Sequence, residues 1–123
     1  MSVGTWSSFH VPYSDAEVRR YAPIAAGVYC LCVKYQSCKW RSFYVGKADN
    51  LESRLLDHLD ANDPNTCIKD NANKFDCGFC WAEVTTEAER SGAEKYLYDT
   101  LAHECNQNDP GSRPLRIPLP PIP

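Results

Sequence analysis

At 123 residues the chain has the length of one domain, enough to bury a single core and too short for a second independent one. Its 43% hydrophobic and 24% charged content is ordinary for a globular protein, with neither a long apolar run nor a basic-then-apolar leader, so a cytoplasmic protein without a membrane span is expected. The net charge of -3 argues against a uniformly basic nucleic-acid binder, yet residues 1–54 hold seven Lys/Arg against four Asp/Glu, whereas the remainder holds six against twelve.

In chain order, Ser14-Asp15-Ala16-Glu17 has the form of a capping box and predicts a short helix to Tyr21, stopped by Pro23. Apolar, β-branched and aromatic residues from Ile24 to Tyr35 predict a buried strand. The polar stretch Gln36-Ser37-Cys38-Lys39 then leads into a second strand, Trp40 to Gly46, forming a hairpin. Asp49 or Asn50 is a natural N-cap for a helix running to about Ala61, whose stripe is Leu51, Leu55 and Leu59. At about 100° per residue, Arg54 and His58 line one edge of that stripe.

Residues 60–75 are rich in Asn and Asp and read as a loop; Phe75 to Thr85 predicts a third strand. Thr86-Glu87-Ala88-Glu89 is a second capping box, opening a helix to about His103 with Ala93, Leu97 and Leu101 facing the core. From Pro110 onward six prolines in fourteen residues forbid a helix, leaving an extended segment packed on the domain or a disordered end. The PxxP spacings there, Pro118 to Pro121 and Pro120 to Pro123, are a weak signal for an SH3-type partner.

The segment Gly27 to His58 concentrates chemistry. Tyr29 and Tyr44 can take or relay a proton, and Lys34, Lys39, Arg41, Lys47 and Arg54 form a local basic set suited to a phosphate ligand. That inventory fits phosphodiester hydrolysis provided that a carboxylate elsewhere supplies a metal site. Seven cysteines are many for this length, and an odd number cannot pair completely within one chain; reduced, buried thiols are expected.

The order strand, strand, helix, strand, helix, with Gly27-Val28-Tyr29 on the first strand, Tyr44-Val45-Gly46-Lys47 closing the second, an arginine in the next helix and a glutamate in the last, resembles the GIY-YIG nuclease family over residues 24–106. The resemblance implies an α+β fold, an α/β sandwich whose mainly antiparallel three-stranded sheet is flanked by helices. Residues 1–23 are then an N-terminal extension and 107–123 a Pro-rich tail. It also implies that Tyr29, Tyr44 and Arg54 belong to the active site, that Glu94 holds a single Mg²⁺ or Mn²⁺, and that Gly27, Gly46 and Asn106 are motif positions. Asn106 follows Glu94 by twelve positions, where the family often has Pro-x-x-Asn; here His103 replaces the proline. The fourteen residues between Tyr29 and Tyr44 are somewhat more than is usual in the family, which fits a longer hairpin loop around Cys38.

Tyr29 is the expected general base, with Tyr44 orienting the water. An ordinary tyrosine pKa of about 10 has to fall by about 2.5 to be half ionised at pH ~7.5, roughly 3.4 kcal/mol, which Lys47, Arg54, His58 and the ion are expected to supply. Arg54 would grip the phosphoryl oxygens bidentately and Lys47 as a point charge, with Lys39 and Arg41 extending the basic face toward substrate. His58 either protonates the leaving group or accepts the proton in place of a tyrosine. Cys77-Gly78-Phe79-Cys80 is a weak zinc or redox signal, because residues three apart on a strand face opposite ways.

The leading reading is a metal-dependent endonuclease acting on DNA, including branched or damaged DNA, with RNA also open and a partner protein for targeting. The alternative is a catalytically inactive module of the same fold that binds nucleic acid or protein. A structural interaction domain using the Pro-rich tail is the third possibility.

Overall fold

The computed structural model describes residues 3–60 and 62–123. In chain order they form β1 (Val3–Trp6), α1 (Asp15–Tyr21), β2 (Gly27–Gln36), β3 (Lys39–Ala48), α2 (Leu51–Asp57), α3 (Thr66–Lys74), β4 (Cys77–Val84) and α4 (Glu87–Thr100). The sheet has the order β1-β4-β2-β3 with every pair antiparallel. The expected α+β architecture is present, but the sheet has four strands where three were expected. β1 is only four residues long, too short to display alternation in the sequence; pairing of Val3 with Val84 and Trp6 with Ala82 makes it a strand.

β2 runs through the centre, paired on both sides, and its residues from Gly27 to Val33 are all buried. Ile24, placed in this strand by its apolar side chain, instead lies outside it and is 78% exposed. The hairpin closes tightly, with Gln36 opposite Lys39 and Cys38 in the left-handed region at φ 65°, so Ser37 and Cys38 alone make the turn.

One face of the sheet packs Tyr29, Leu31, Phe43, Phe79 and Trp81 against Val18 of α1, Leu51 and Leu55 of α2, and Ile68 of α3. The other packs Val28, Cys30, Val45, Cys80 and Ala82 against Ala93 and Leu97 of α4. Cys77 and Cys80 belong to these two different cores, as strand alternation requires.

Side chains close the helix starts as the capping signals predict: Ser14, Asn50 and Thr86 accept from the backbone N–H of Glu17, Ser53 and Glu89. Asn50, not Asp49, is the cap of α2. That helix ends at Asp57, and Ala61, to which the sequence reading carried it, lies outside the described residues. α4 ends at Thr100, short of His103, because Leu101 is extended.

The expected loop at 60–75 contains α3, capped by Asn65. Its asparagines are poor helix formers, and tertiary contacts override them: Ile68 is fully buried and Cys67 is joined to Cys105 in a disulfide. That bridge corrects the expectation of reduced thiols throughout; Cys30, Cys32, Cys38, Cys77 and Cys80 are free.

The Pro-rich tail is extended and packed. Leu115 N–H donates to the carbonyl of Gly92 at 2.9 Å, the Trp6 indole N–H donates to the carbonyl of Pro118 at 2.7 Å, and Ile117 is buried. A Cβ on Gly92 would stand 2.8 Å from that of Leu115, so glycine is what lets the tail lie against α4. Among the described residues no helix is long and apolar enough to cross a membrane.

Candidate active site

Tyr29 sits opposite Gly46 in the β2–β3 ladder, and its ring lies over that glycine. A Cβ at position 46 would come within 2.5 Å of both the ring Cζ and the hydroxyl. The second motif glycine therefore makes room for the first motif tyrosine. Gly27 has a similar origin, since a Cβ there would meet the carbonyl oxygen of Ala82 at 2.2 Å and Leu51 Cδ1 at 2.9 Å.

α2 follows β3 directly and is anchored by the Tyr13 hydroxyl, which donates to the carbonyl of Leu55 at 2.6 Å. It delivers His58, at its C-cap, to Tyr29: the hydroxyl and His58 Nε2 are 2.6 Å apart. The other ring nitrogen, Nδ1, is 3.2 Å from Asp63 Oδ2. His58 and Asp63 are both almost wholly buried, with side chains 1% and 5% exposed. A carboxylate only accepts, so the tautomer that satisfies both contacts has its proton on Nδ1 and its lone pair on Nε2 facing the tyrosine hydroxyl. Burial, with the charge of Arg54, pushes the His58 pKa down to about 4 against the opposing pull of Asp63, leaving the ring neutral at pH 7.

Tyr44 closes the cluster. Its ring centroid is 6.1 Å from that of Tyr29 and 5.0 Å from that of His58, and it is half-buried where Tyr29 has no exposed surface. Arg54, 45% exposed, lies beside both hydroxyls. Burial holds the Tyr29 phenol well above its ordinary value and raises Tyr44 as well, with Arg54 opposing in both cases. The expected lowering of the tyrosine pKa by surrounding cations is thus reversed in the protein itself: desolvation of a fully buried phenol outweighs one half-exposed guanidinium.

Glu94 approaches from the other side of the β3 edge. α4 presents Glu87, Ser91 and Glu94 along one stripe, and Lys47 Nζ donates to Glu87 Oε1 and, at 2.9 Å, to Ser91 Oγ. Burial holds the Glu94 carboxyl above its ordinary value, opposed by the charge of Lys47 and a hydrogen bond from the Lys47 backbone. Its charge also bears on Tyr44. Tyr29, Tyr44, Arg54 and His58 therefore meet on one side of β3, and Lys47 and Glu94 meet at its edge.

Tyr29, Tyr44, Arg54 and His58 lie together on one face of the β2–β3 pair, Glu94 of α4 is near enough for its charge to act on Tyr44, and the sequence model of the GIY-YIG catalytic domain matches residues 25–107. The chain belongs to the GIY-YIG family. No curated protein and no solved structure matches it significantly. Membership places the chain in a nuclease family, with a nucleic acid as the substrate class and a divalent metal as the usual cofactor.

The donor set fits such a metal. Glu94 is a half-buried carboxylate, and among the described residues no group of three or more His, Cys, Asp or Glu gathers as a metal cage. One hard oxygen ligand suits Mg²⁺ or Mn²⁺, which keep several waters and share substrate phosphate oxygens.

Three further expected site residues, the basic Lys39 and Arg41 and the motif position Asn106, lie apart from the cluster. Lys39 and Arg41 stand at the far end of the hairpin, three to five residues from Tyr44 and on the order of 10–16 Å along the strand. Arg41 pairs with Glu104 at 3.4 Å and lies over the Tyr35 ring. Asn106 grips β3 from outside: its Nδ2 donates to the Val45 carbonyl at 2.8 Å and its Oδ1 accepts from the Val45 N–H at 3.0 Å. Sequence reasoning missed Asp63, which lies between α2 and α3 at no helical or strand spacing from His58. It also missed Glu87 and Ser91, whose link to Lys47 exists only in three dimensions.

Proposed function

We propose that the protein is a divalent-metal-dependent endonuclease that hydrolyses DNA phosphodiester bonds through a tyrosine-activated water. The observation that carries this reading is the 2.6 Å hydrogen bond between the Tyr29 hydroxyl and neutral His58, with Tyr44 and Arg54 beside it and Glu94 near enough for its charge to act on Tyr44. A buried phenol with a raised pKa is not a resting phenolate, so it acts as a base only if its own proton has somewhere to go. His58 Nε2 is that acceptor.

A water held at the solvent side, against Tyr44, gives up its proton to the tyrosine pair as its oxygen attacks phosphorus, and Tyr29 passes a proton to His58. Arg54, beside the hydroxyls and reaching solvent, stabilises the negative charge that grows on the phosphoryl oxygens. Glu94 would hold the divalent ion, which when bound supplies charge neutralisation at the phosphate and at the leaving oxygen. Lys47, tied to Glu87 and Ser91, stands beside Glu94 and tunes its charge. Lys39 and Arg41 would touch only nucleic acid flanking the scissile phosphate.

The test is cleavage of plasmid, branched DNA, single-stranded DNA and RNA in Mg²⁺ or Mn²⁺ by wild type, Tyr29→Phe and Glu94→Gln. Wild type should nick DNA about 10²–10⁴-fold faster than either variant, and chelation should abolish the difference. A wild type no faster than its variants would sink the enzyme reading and leave a binding module. Faster cleavage of RNA would reassign the substrate.

A further inference from the structure

We infer that Asp63 is a positioning residue for the reaction: by accepting from His58 Nδ1 it locks the imidazole in the one tautomer whose Nε2 can take the Tyr29 proton. Its consequence for turnover rests on the nuclease reading; its geometry does not. Neither the motif pattern nor the family match singles out this aspartate.

Both oxygens of Asp63 are committed. Oδ1 accepts from the backbone N–H of Asn65 at 2.7 Å, and Oδ2 faces His58 Nδ1 at 3.2 Å. Asn65 in turn caps α3 and donates to the Cys105 carbonyl at 3.0 Å, so the carboxylate is mounted on a loop held from three sides. The side chain is 5% exposed, which removes competition from water for either oxygen.

The proton transfer balances without a further reactant. The Tyr29 O–H bond breaks, the N–H bond on His58 Nε2 forms, and the proton lost by the attacking water restores the tyrosine hydroxyl. The imidazolium so formed keeps its Nδ1–H on the Asp63 carboxylate, which stabilises the charge, and after product leaves it returns the Nε2 proton to the Tyr29 hydroxyl, whose own proton passes by way of the part-exposed Tyr44 to solvent. With the opposite tautomer, Nε2–H would donate to the tyrosine oxygen and no acceptor would remain.

Asp63→Asn separates this role from mere support of the loop. The asparagine oxygen must face the Asn65 N–H, because the reverse orientation would set donor against donor; its amide N–H₂ then meets Nδ1 and forces the proton to Nε2. The experiment reads the ring ¹⁵N shifts of His58 at neutral pH in both proteins, together with single-turnover cleavage of the best DNA substrate. Expected are Nδ1–H in wild type, Nε2–H in the variant, and cleavage slowed at least ~100-fold, as follows when a triad carboxylate is replaced by its amide. Nε2–H in the wild type overturns the inference even if the variant fails to fold. So does a folded variant that keeps Nδ1–H, or one that cleaves within about threefold of wild type. If wild type is inert toward every nucleic acid while the tautomer switches as expected, the positioning by Asp63 stands and the nuclease reading fails.

Discussion

His58 is the residue on which most of the site's physics converges. It is buried and neutral, packed between Tyr29 and Tyr44 on the sheet, Arg54 and Asp57 of its own helix, and Asp63 of the following loop. Its folded pKa of about 4 lies below the unfolded value of about 6.5, so the unfolded chain binds the extra proton first as pH falls. The contribution of this residue to stability is therefore complete above pH ~6.5 and is lost progressively as pH drops toward ~4. Between pH ~6.5 and ~4.5 that loss amounts to roughly 2–3 kcal/mol. Urea unfolding of wild type and His58→Asn across this range should show the steeper decline in wild type. Parallel declines would mean that His58 is not held neutral.

At the scale of elements, the site depends on β3, an edge strand that carries Tyr44, Gly46 and Lys47. An open edge has unpaired backbone groups, and Asn106 satisfies both groups of Val45 with one amide, while the Cys105 N–H donates to the Phe43 carbonyl at 2.8 Å. Asn106→Ala removes two hydrogen bonds and should cost about 1–3 kcal/mol in urea unfolding. Backbone hydrogen exchange at Val45 should accelerate along with it. Unchanged exchange there would remove the edge-clamp role. The helices are fixed by more local chemistry, and for α1, α2 and α4 the capping side chain could be read from a few consecutive residues. α3 could not be read in this way, because its reasons lie in Ile68, Cys67 and the distant Cys105.

At the scale of the whole molecule, the two ends of the chain finish the same sheet face. β1 extends the sheet beyond β4, and the tail crosses back over α4 to bond Trp6 through Pro118. The tail also buries Ile117 in the core formed with α4. Removing residues 114–123 should destabilise the domain by about 2–4 kcal/mol, from one buried isoleucine and at least one lost hydrogen bond. It should also expose the Trp6 indole, giving a red-shifted tryptophan emission. A truncated protein with wild-type stability would make the tail a passenger. The tyrosine cluster lies on the opposite face, so its geometry should survive the truncation.

The sequence alone determined what short-range rules govern: the central strands, the capped helices α1, α2 and α4, the opposite facing of Cys77 and Cys80, and the motif order that pointed to the nuclease family. Alternation and capping are properties of a few adjacent residues, so they are legible without coordinates. Only the tertiary structure decided the fourth strand, the helix at Thr66–Lys74, the disulfide, the packed tail and the separation of Lys39 and Arg41 from the tyrosines. It also buried Tyr29, which raises its phenol pKa against the pull of Arg54, and brought Asp63 to His58. Each of these depends on which surfaces lose water and which distant groups meet, and no local spacing encodes that.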